Sequence, residues 1–109
     1  MKLKDCINEL DIKLVNHASL ENEITDIYIG DLLSFVMANG KEGALWLTVQ
    51  KHVNVVAVAE LNDFAGIVFV QGVIPDDETI EKANEYHIPL LISPLDAYSL
   101  TKEFMKLGI

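Results

Sequence analysis

Apolar residues recur at helical spacing at Leu3, Ile7 and Leu10, then alternate with polar ones through Ile12-Lys13-Leu14-Val15. A period near 3.6 marks a helix with one inward face and a period of two marks a half-buried strand, so the opening predicts a short helix and an edge strand. The polar stretch Asn16 to Glu23 predicts a surface loop, and Ile24, Ile27 and Ile29 a second strand. Gly30-Asp31 then opens a short helix through Met37, with Asp31 as its expected N-cap and Gly40 as its stop.

From Ala44 the pattern changes. Ala44 to Val49, Ala65 to Val70 and Pro89 to Ile92 are nearly continuous apolar runs. Strands apolar on both faces belong to a parallel sheet covered by helices, whereas a half-exposed antiparallel sheet would alternate. Between the last two runs, Pro75-Asp76-Asp77-Glu78 starts a helix with acids where its dipole favours them, and Ile80, Ala83 and His87 give it one inward stripe. A final helix follows Ser93-Pro94, carries Ala97, Leu100, Phe104 and Leu107 on one face and closes at Gly108. The β-branched stretch Val53 to Leu61 favours a strand by propensity, yet its place between two parallel strands demands a crossover helix, and it is assigned as one. Val55, Val56, Val58, Ala59 and Leu61 leave that helix hardly any polar face. One side then packs on the sheet and another needs a second apolar surface, which predicts a homodimer formed through this helix and the first one.

These elements define an α/β chain: a single domain over residues 1–109, with a central, mostly parallel sheet and crossover helices. Half the residues are hydrophobic, enough for a core, and there is no low-complexity linker or internal repeat. No apolar run approaches the roughly 18 residues that span a bilayer, and charges arrive at Lys2, Lys4 and Asp5, so no membrane role and a cytoplasmic address are expected.

Charge narrows the partners. Seventeen acidic residues against 8 basic ones give −9, and no basic cluster exceeds two neighbours, which argues against nucleic acid. The acidity favours solubility and leaves open an acidic surface that meets a basic partner protein. Cys6 is the only cysteine and reads as a small core residue beside Ile7, with no disulfide and no cysteine-based metal cluster.

Little chemistry is encoded. Gly40-Lys41-Glu42-Gly43 places a glutamate where a phosphate loop needs a hydroxyl and precedes a strand rather than a helix, so it reads as a turn. His17, His52 and His87 are isolated in sequence and form no metal-binding pair; His17 is assigned to a loop and His87 to a partly buried helix end. Asp76-Asp77, and Asp26 with Asp31, are explained by helix-start electrostatics. No cofactor, metal or catalytic residue is assigned. His52 differs because it follows the end of a parallel strand, where open α/β sheets place ligands. Gln50, Lys51, His52 and Asn54 offer donors and acceptors there, and the neighbouring strand end adds Gln71 and Gly72, the glycine permitting a tight turn or close approach of a ligand. These six are the candidate ligand-binding residues.

The run from Gly30 to Leu100 resembles a DRTGG domain, a module also found beside CBS domains and within bacterial phosphotransacetylases. The resemblance is carried by the Leu32-Leu33 helix, the strand Leu45-Trp46-Leu47-Thr48, the Pro75-Asp76 helix start and the strand Ile88-Pro89-Leu90, in that order. The helix and short strands before Gly30 are similar to the start of that domain as well. Lys51-His52-Val53-Asn54 stands where an Asp-Arg-Thr type loop is expected, and Val70-Gln71-Gly72 replaces a Thr-Gly-Gly type turn. The resemblance extends to the N-terminal domain of HPr kinase/phosphorylase, whose phosphate loop lies in a separate domain. It implies a non-catalytic regulatory module, homodimeric in stand-alone form, that senses a small molecule or nucleotide; the alternative is a protein-interaction adaptor that binds a partner enzyme or kinase without a small ligand.

Overall fold

The computed structural model describes every residue, Met1–Ile109. Five helices and five strands follow one another along the chain, alternating from β2 onward: α1 (Leu3–Ile7), β1 (Lys13–Leu14), β2 (Asp26–Ile29), α2 (Leu33–Asn39), β3 (Ala44–Thr48), α3 (Asn54–Leu61), β4 (Gly66–Phe69), α4 (Asp77–Glu85), β5 (Leu90–Ile92) and α5 (Ala97–Lys106). The sheet order is β1-β5-β4-β3-β2; β2 to β5 are parallel, and β1 joins β5 antiparallel through Lys13 opposite Ile92 and Leu14 opposite Leu91.

Both faces of the sheet are covered, which is why β3 and β4 are buried at every position. Trp46, Ile67, Phe69 and Leu90 pack with Val36 of α2, the valines of α3 and Ala83 of α4. Leu45, Leu47, Val68 and Leu91 pack instead with Leu3 and Cys6 of α1 and Leu100 and Phe104 of α5. Successive parallel strands laid down in one direction by right-handed crossovers must put all their helices on one face, and α2, α3 and α4 obey that rule.

The crossover assignment of Val53 to Leu61 holds, but the surface that called for a partner is filled within the chain. Val55, Val56, Val58 and Ala59 are buried, with α2 and α4 flanking α3 on either side. Only Leu61 at its end stands out. The apolar side of α1 is also internal, since Leu3 and Cys6 are fully buried.

Three further sequence readings change. Asp31 does not cap α2; that position is Leu32, and the Asp31 carboxylate turns to the end of β3. His87 is not on the inward stripe of α4: it follows the helix at φ 58, exposed, and Thr79, Ala83 and Ile88 fill the interior instead. The loop after β1 is not wholly on the surface. Asn16 is buried, its Nδ2 donating to the Ile88 carbonyl (2.8 Å) and its Oδ1 accepting from Leu90 N–H (2.9 Å), so it continues the edge pairing of β5 where two-residue β1 stops.

Candidate functional site

Parallel strands deliver their carboxyl ends to one side, and that side carries all six candidate residues. At the end of β3 the backbone is fixed from β2's side. Asp31 Oδ1 accepts from the Thr48 hydroxyl (2.8 Å) and from Val49 N–H (2.9 Å), while Gln50 Nε2 donates to the Asp31 carbonyl (2.8 Å). Gln50 is thereby a brace between two loops.

Lys51 and His52 face the start of α4. The Lys51 carbonyl accepts from Asp76 N–H (3.1 Å) and the Thr79 hydroxyl (2.8 Å). His52 Nδ1 donates to Asp76 Oδ2 (2.6 Å), and Lys51 Nζ lies 3.9 Å from Asp76 Oδ1. One carboxylate thus engages both side chains, so an anion arriving here has to compete with Asp76. Asn54, one helical position on, turns away into a groove of about 250 Å³ between α3 and α4, shared with Val53, Val56, Ala57, Glu60, Lys82 and Tyr86.

Gln71 and Gly72 form the next strand end. Both have positive φ (58° and 74°), and Val73 N–H donates back to the Val70 carbonyl (3.1 Å), closing a tight turn whose central residues are left-handed. The turn sits at the topological switch, because β4 runs on to α4 on one face of the sheet and β5 to α5 on the other, which normally opens a ligand crevice between their loops. Here backbone bridges it: Gln71 N–H donates to the Leu95 carbonyl (2.8 Å) and Gly72 N–H to the Ser93 carbonyl (3.0 Å).

The opening is displaced to the outer side of β5. A cleft of about 270 Å³ lies between the β4–α4 turn and the start of β1, lined by Asp11, Ile12, Lys13, Gly72, Ile92, Ser93 and Pro94. A Cβ on Gly72 would meet nothing within 4 Å, so the glycine borders open space. Lys13 on this wall makes no ion pair within the chain. Of the six candidates, only Gly72 lines this cleft; Gln50, Lys51 and His52 stand at the β3 end, Asn54 in the helical groove, and Gln71 on the exposed turn. Lys13 and Asp11 carry no sign of this role in the sequence, because they reach this end only through the antiparallel pairing of β1 with β5, which a four-residue alternation does not reveal.

A third hollow, about 210 Å³, sits at the opposite end of the sheet and is bordered by Glu23, Glu42 and Asp63. No group of three or more His, Cys, Asp or Glu side chains is arranged to hold a metal ion, and no helix is long and apolar enough to cross a membrane.

The same architecture is found in the crystal structure of the CBS and DRTGG domains of the regulatory region of Clostridium perfringens pyrophosphatase, complexed with its activator diadenosine tetraphosphate. That structure superposes with a TM-score of 0.69 at 14% identity, over 92% of this chain and 44% of that one. The fold is DRTGG-like. A DRTGG-like fold agrees with the resemblance carried by the Leu32-Leu33 helix and the Leu45 to Thr48 strand, although the loops that would carry the family's signature differ. The chain spans under half the length of that structure. No family model and no curated protein matches the sequence.

Proposed function

We propose that this chain is a non-catalytic regulatory module that binds a small molecule or nucleotide at the carboxyl ends of β4 and β5, works as a homodimer and acts in the cytoplasm. The observation that carries the ligand reading is the cleft of about 270 Å³ beside Gly72, at the end of the sheet where open α/β folds hold their ligands. Its floor of Ile12, Ile92 and Pro94 suits a flat or aliphatic body, and Lys13 supplies an uncommitted cation at the wall. The pyrophosphatase region of similar fold is complexed with a nucleotide activator, which supports a nucleotide as one ligand class. A polyphosphate would also draw on Lys51 and His52, at the cost of breaking their contacts with Asp76.

The test is a thermal-shift panel of adenosine, AMP, ATP, diadenosine tetraphosphate and uncharged aromatic probes, followed by amide NMR titration. A ligand that binds only the native state stabilises it by roughly 2.7 kcal/mol at about 100 times its dissociation constant. We expect at least one compound to raise Tm and to move the amide signals of Lys13, Gly72 and Ser93 together. A panel that leaves Tm and those amides unchanged removes the ligand reading in favour of an adaptor.

A further inference from the structure

Asn39 and Gly40 close α2 with a dipeptide that carries its own chemistry. Of the seven asparagines, Asn39 is the one followed by glycine. A glycine there leaves its amide nitrogen unshielded from the preceding side-chain carbonyl, the arrangement in which a chain deamidates by itself and asparagine becomes a thermolabile residue. The glycine is fixed by packing rather than by conformation. Its φ of −67° is open to any residue, yet a Cβ on it would overlap the Phe64 ring and stand 2.9 Å from the Val36 carbonyl oxygen. Phe64 is buried against Trp46, with ring centroids 5.7 Å apart, and has no room to withdraw. In the closed helix both reacting groups are engaged elsewhere: Gly40 N–H donates to the Val36 carbonyl (2.8 Å) and Asn39 Nδ2 to the Phe35 carbonyl (2.9 Å). Asn62 ties the end down in turn, its Nδ2 donating to the carbonyls of Met37 and Gly40 (3.0 Å each). Asn39 itself is exposed, in the last turn of a helix of 7 residues, where local opening costs least.

We propose that Asn39 is a self-modification site gated by the end of α2: shut while that end is closed, reactive when it opens, and held open by its own product. Once the bonds to Phe35 and Val36 part, the Gly40 amide nitrogen gives up its proton and attacks Asn39 Cγ. The bond from Cγ to Nδ2 breaks, and ammonia leaves with that proton as its third hydrogen. The five-membered imide left behind is opened by water. Opening at Cγ gives aspartate, and opening at the main-chain carbonyl gives an isoaspartyl link that runs through Cγ. Either ionised product has lost the donor to the Phe35 carbonyl and sets a carboxylate at the negative end of the helix dipole, where α2 has no basic residue in its last turn. The isoaspartyl link also lengthens the main chain by one methylene directly before Gly40, whose contact with Phe64 leaves no slack.

Peptide mapping by mass spectrometry, with an assay for the isoaspartyl link, tests the site on the intact chain held at mildly alkaline pH in buffer and in urea. We expect Asn39 to convert ahead of every other asparagine in urea, and at least roughly tenfold more slowly in buffer, where the reaction waits on local opening. Asn62→Ala removes the tie to Met37 and Gly40, and should speed conversion of Asn39 several-fold in buffer while leaving the rate in urea unchanged. Asn39→Asp, which carries the charge of the product, should melt below the parent. The comparison of buffer with urea needs no variant, so it decides the gate even where Asn62→Ala does not fold. Conversion as fast in buffer as in urea, or a folded Asn62→Ala that converts no faster than the parent, overturns the gate. Conversion in urea that does not favour Asn39 overturns the site, and an Asn39→Asp chain that melts with the parent overturns the effect of the product on the helix end.

Discussion

The carboxylate of Asp31 accepts a hydrogen bond from the hydroxyl of Thr48 at 2.8 Å, joining the loop after β2 to the last residue of β3. Thr48 is buried, and its hydroxyl also accepts from Gln50 N–H (3.1 Å), so the turn that carries Gln50, Lys51 and His52 is anchored on one polar pair. Removing the acceptor strands a buried donor and the Val49 N–H together. We expect Asp31→Ala to destabilise the chain by about 1–3 kcal/mol in urea unfolding, the usual cost of an unsatisfied buried group, and Asp31→Asn to lose less because its amide oxygen still accepts. Equal losses for the two variants would mean that the charge of Asp31, rather than its acceptor geometry, fixes the loop.

Asp31 also marks the boundary of what the chain discloses before folding. The pattern Gly30-Asp31 before a helix is a sound cap signal, yet the side chain prefers a partner 17 residues away that only parallel pairing of β2 with β3 brings near. The same distinction runs through the molecule. The apolar runs at Ala44, Ala65 and Pro89 and the order of helices between them were legible because burial on both faces writes itself into consecutive residues. The Val-rich α3 was legible as a crossover from its position, but its coverage by α2 and α4 was not, since nothing local tells a helix how many neighbours it will have. For the site, the carboxyl ends of the strands were identified, whereas the cleft depends on where two-residue β1 docks and on backbone bonds from Gln71 and Gly72 that fill the expected crevice.

The turn after β4 yields a stability prediction of opposite sign at adjacent residues. Gln71 holds φ 58, a left-handed conformation that costs a side-chain-bearing residue roughly 1 kcal/mol. Gln71→Gly should therefore be neutral or stabilising by up to about 1 kcal/mol, partly offset by the greater freedom of glycine in the unfolded chain. Gly72→Ala has room for its methyl but meets the same strain at φ 74, and should destabilise by about 1 kcal/mol. Thermal melts of the two variants check both signs, and a stabilised Gly72→Ala would show that the turn is not held left-handed in solution.

Asp96 controls the start of α5. Its Oδ1 accepts from Ser99 N–H at 2.7 Å, and that bond holds the carboxyl below its ordinary value of 3.8. A lowered folded-state value means that the cap's contribution is present above the unfolded value and is lost as pH falls through the folded one. Acid titration of stability should accordingly show Asp96→Asn, which keeps an oxygen acceptor, losing less between pH 5 and pH 2 than the parent chain. Asp96→Ala should lower Tm at neutral pH, because the Ser99 N–H loses its partner. A parent chain whose acid loss matches that of Asp96→Asn would contradict the assigned role.

Cys6 gives the corresponding prediction on the alkaline side. The residue is fully buried in α1 against the core shared with Leu100 and Phe104, and burial first, with the Asp5 carboxylate second, pushes the thiol up from 9.0 to about 11. In the unfolded chain the thiol ionises at its ordinary value, so unfolding releases a proton between the two. Because the folded value is the raised one, the stability associated with Cys6 is complete below pH 9 and is lost as pH rises through 11. Stability measured from pH 8 to pH 11 should fall more steeply for the parent than for Cys6→Ala, whose neutral methyl leaves no group to titrate, even though the variant is less stable throughout from the cavity it creates. Iodoacetamide should alkylate the native thiol far more slowly than the urea-unfolded one at pH 8, since the reactive species is the thiolate. Rapid native labelling at that pH would place Cys6 at the surface and detach α1 from the core.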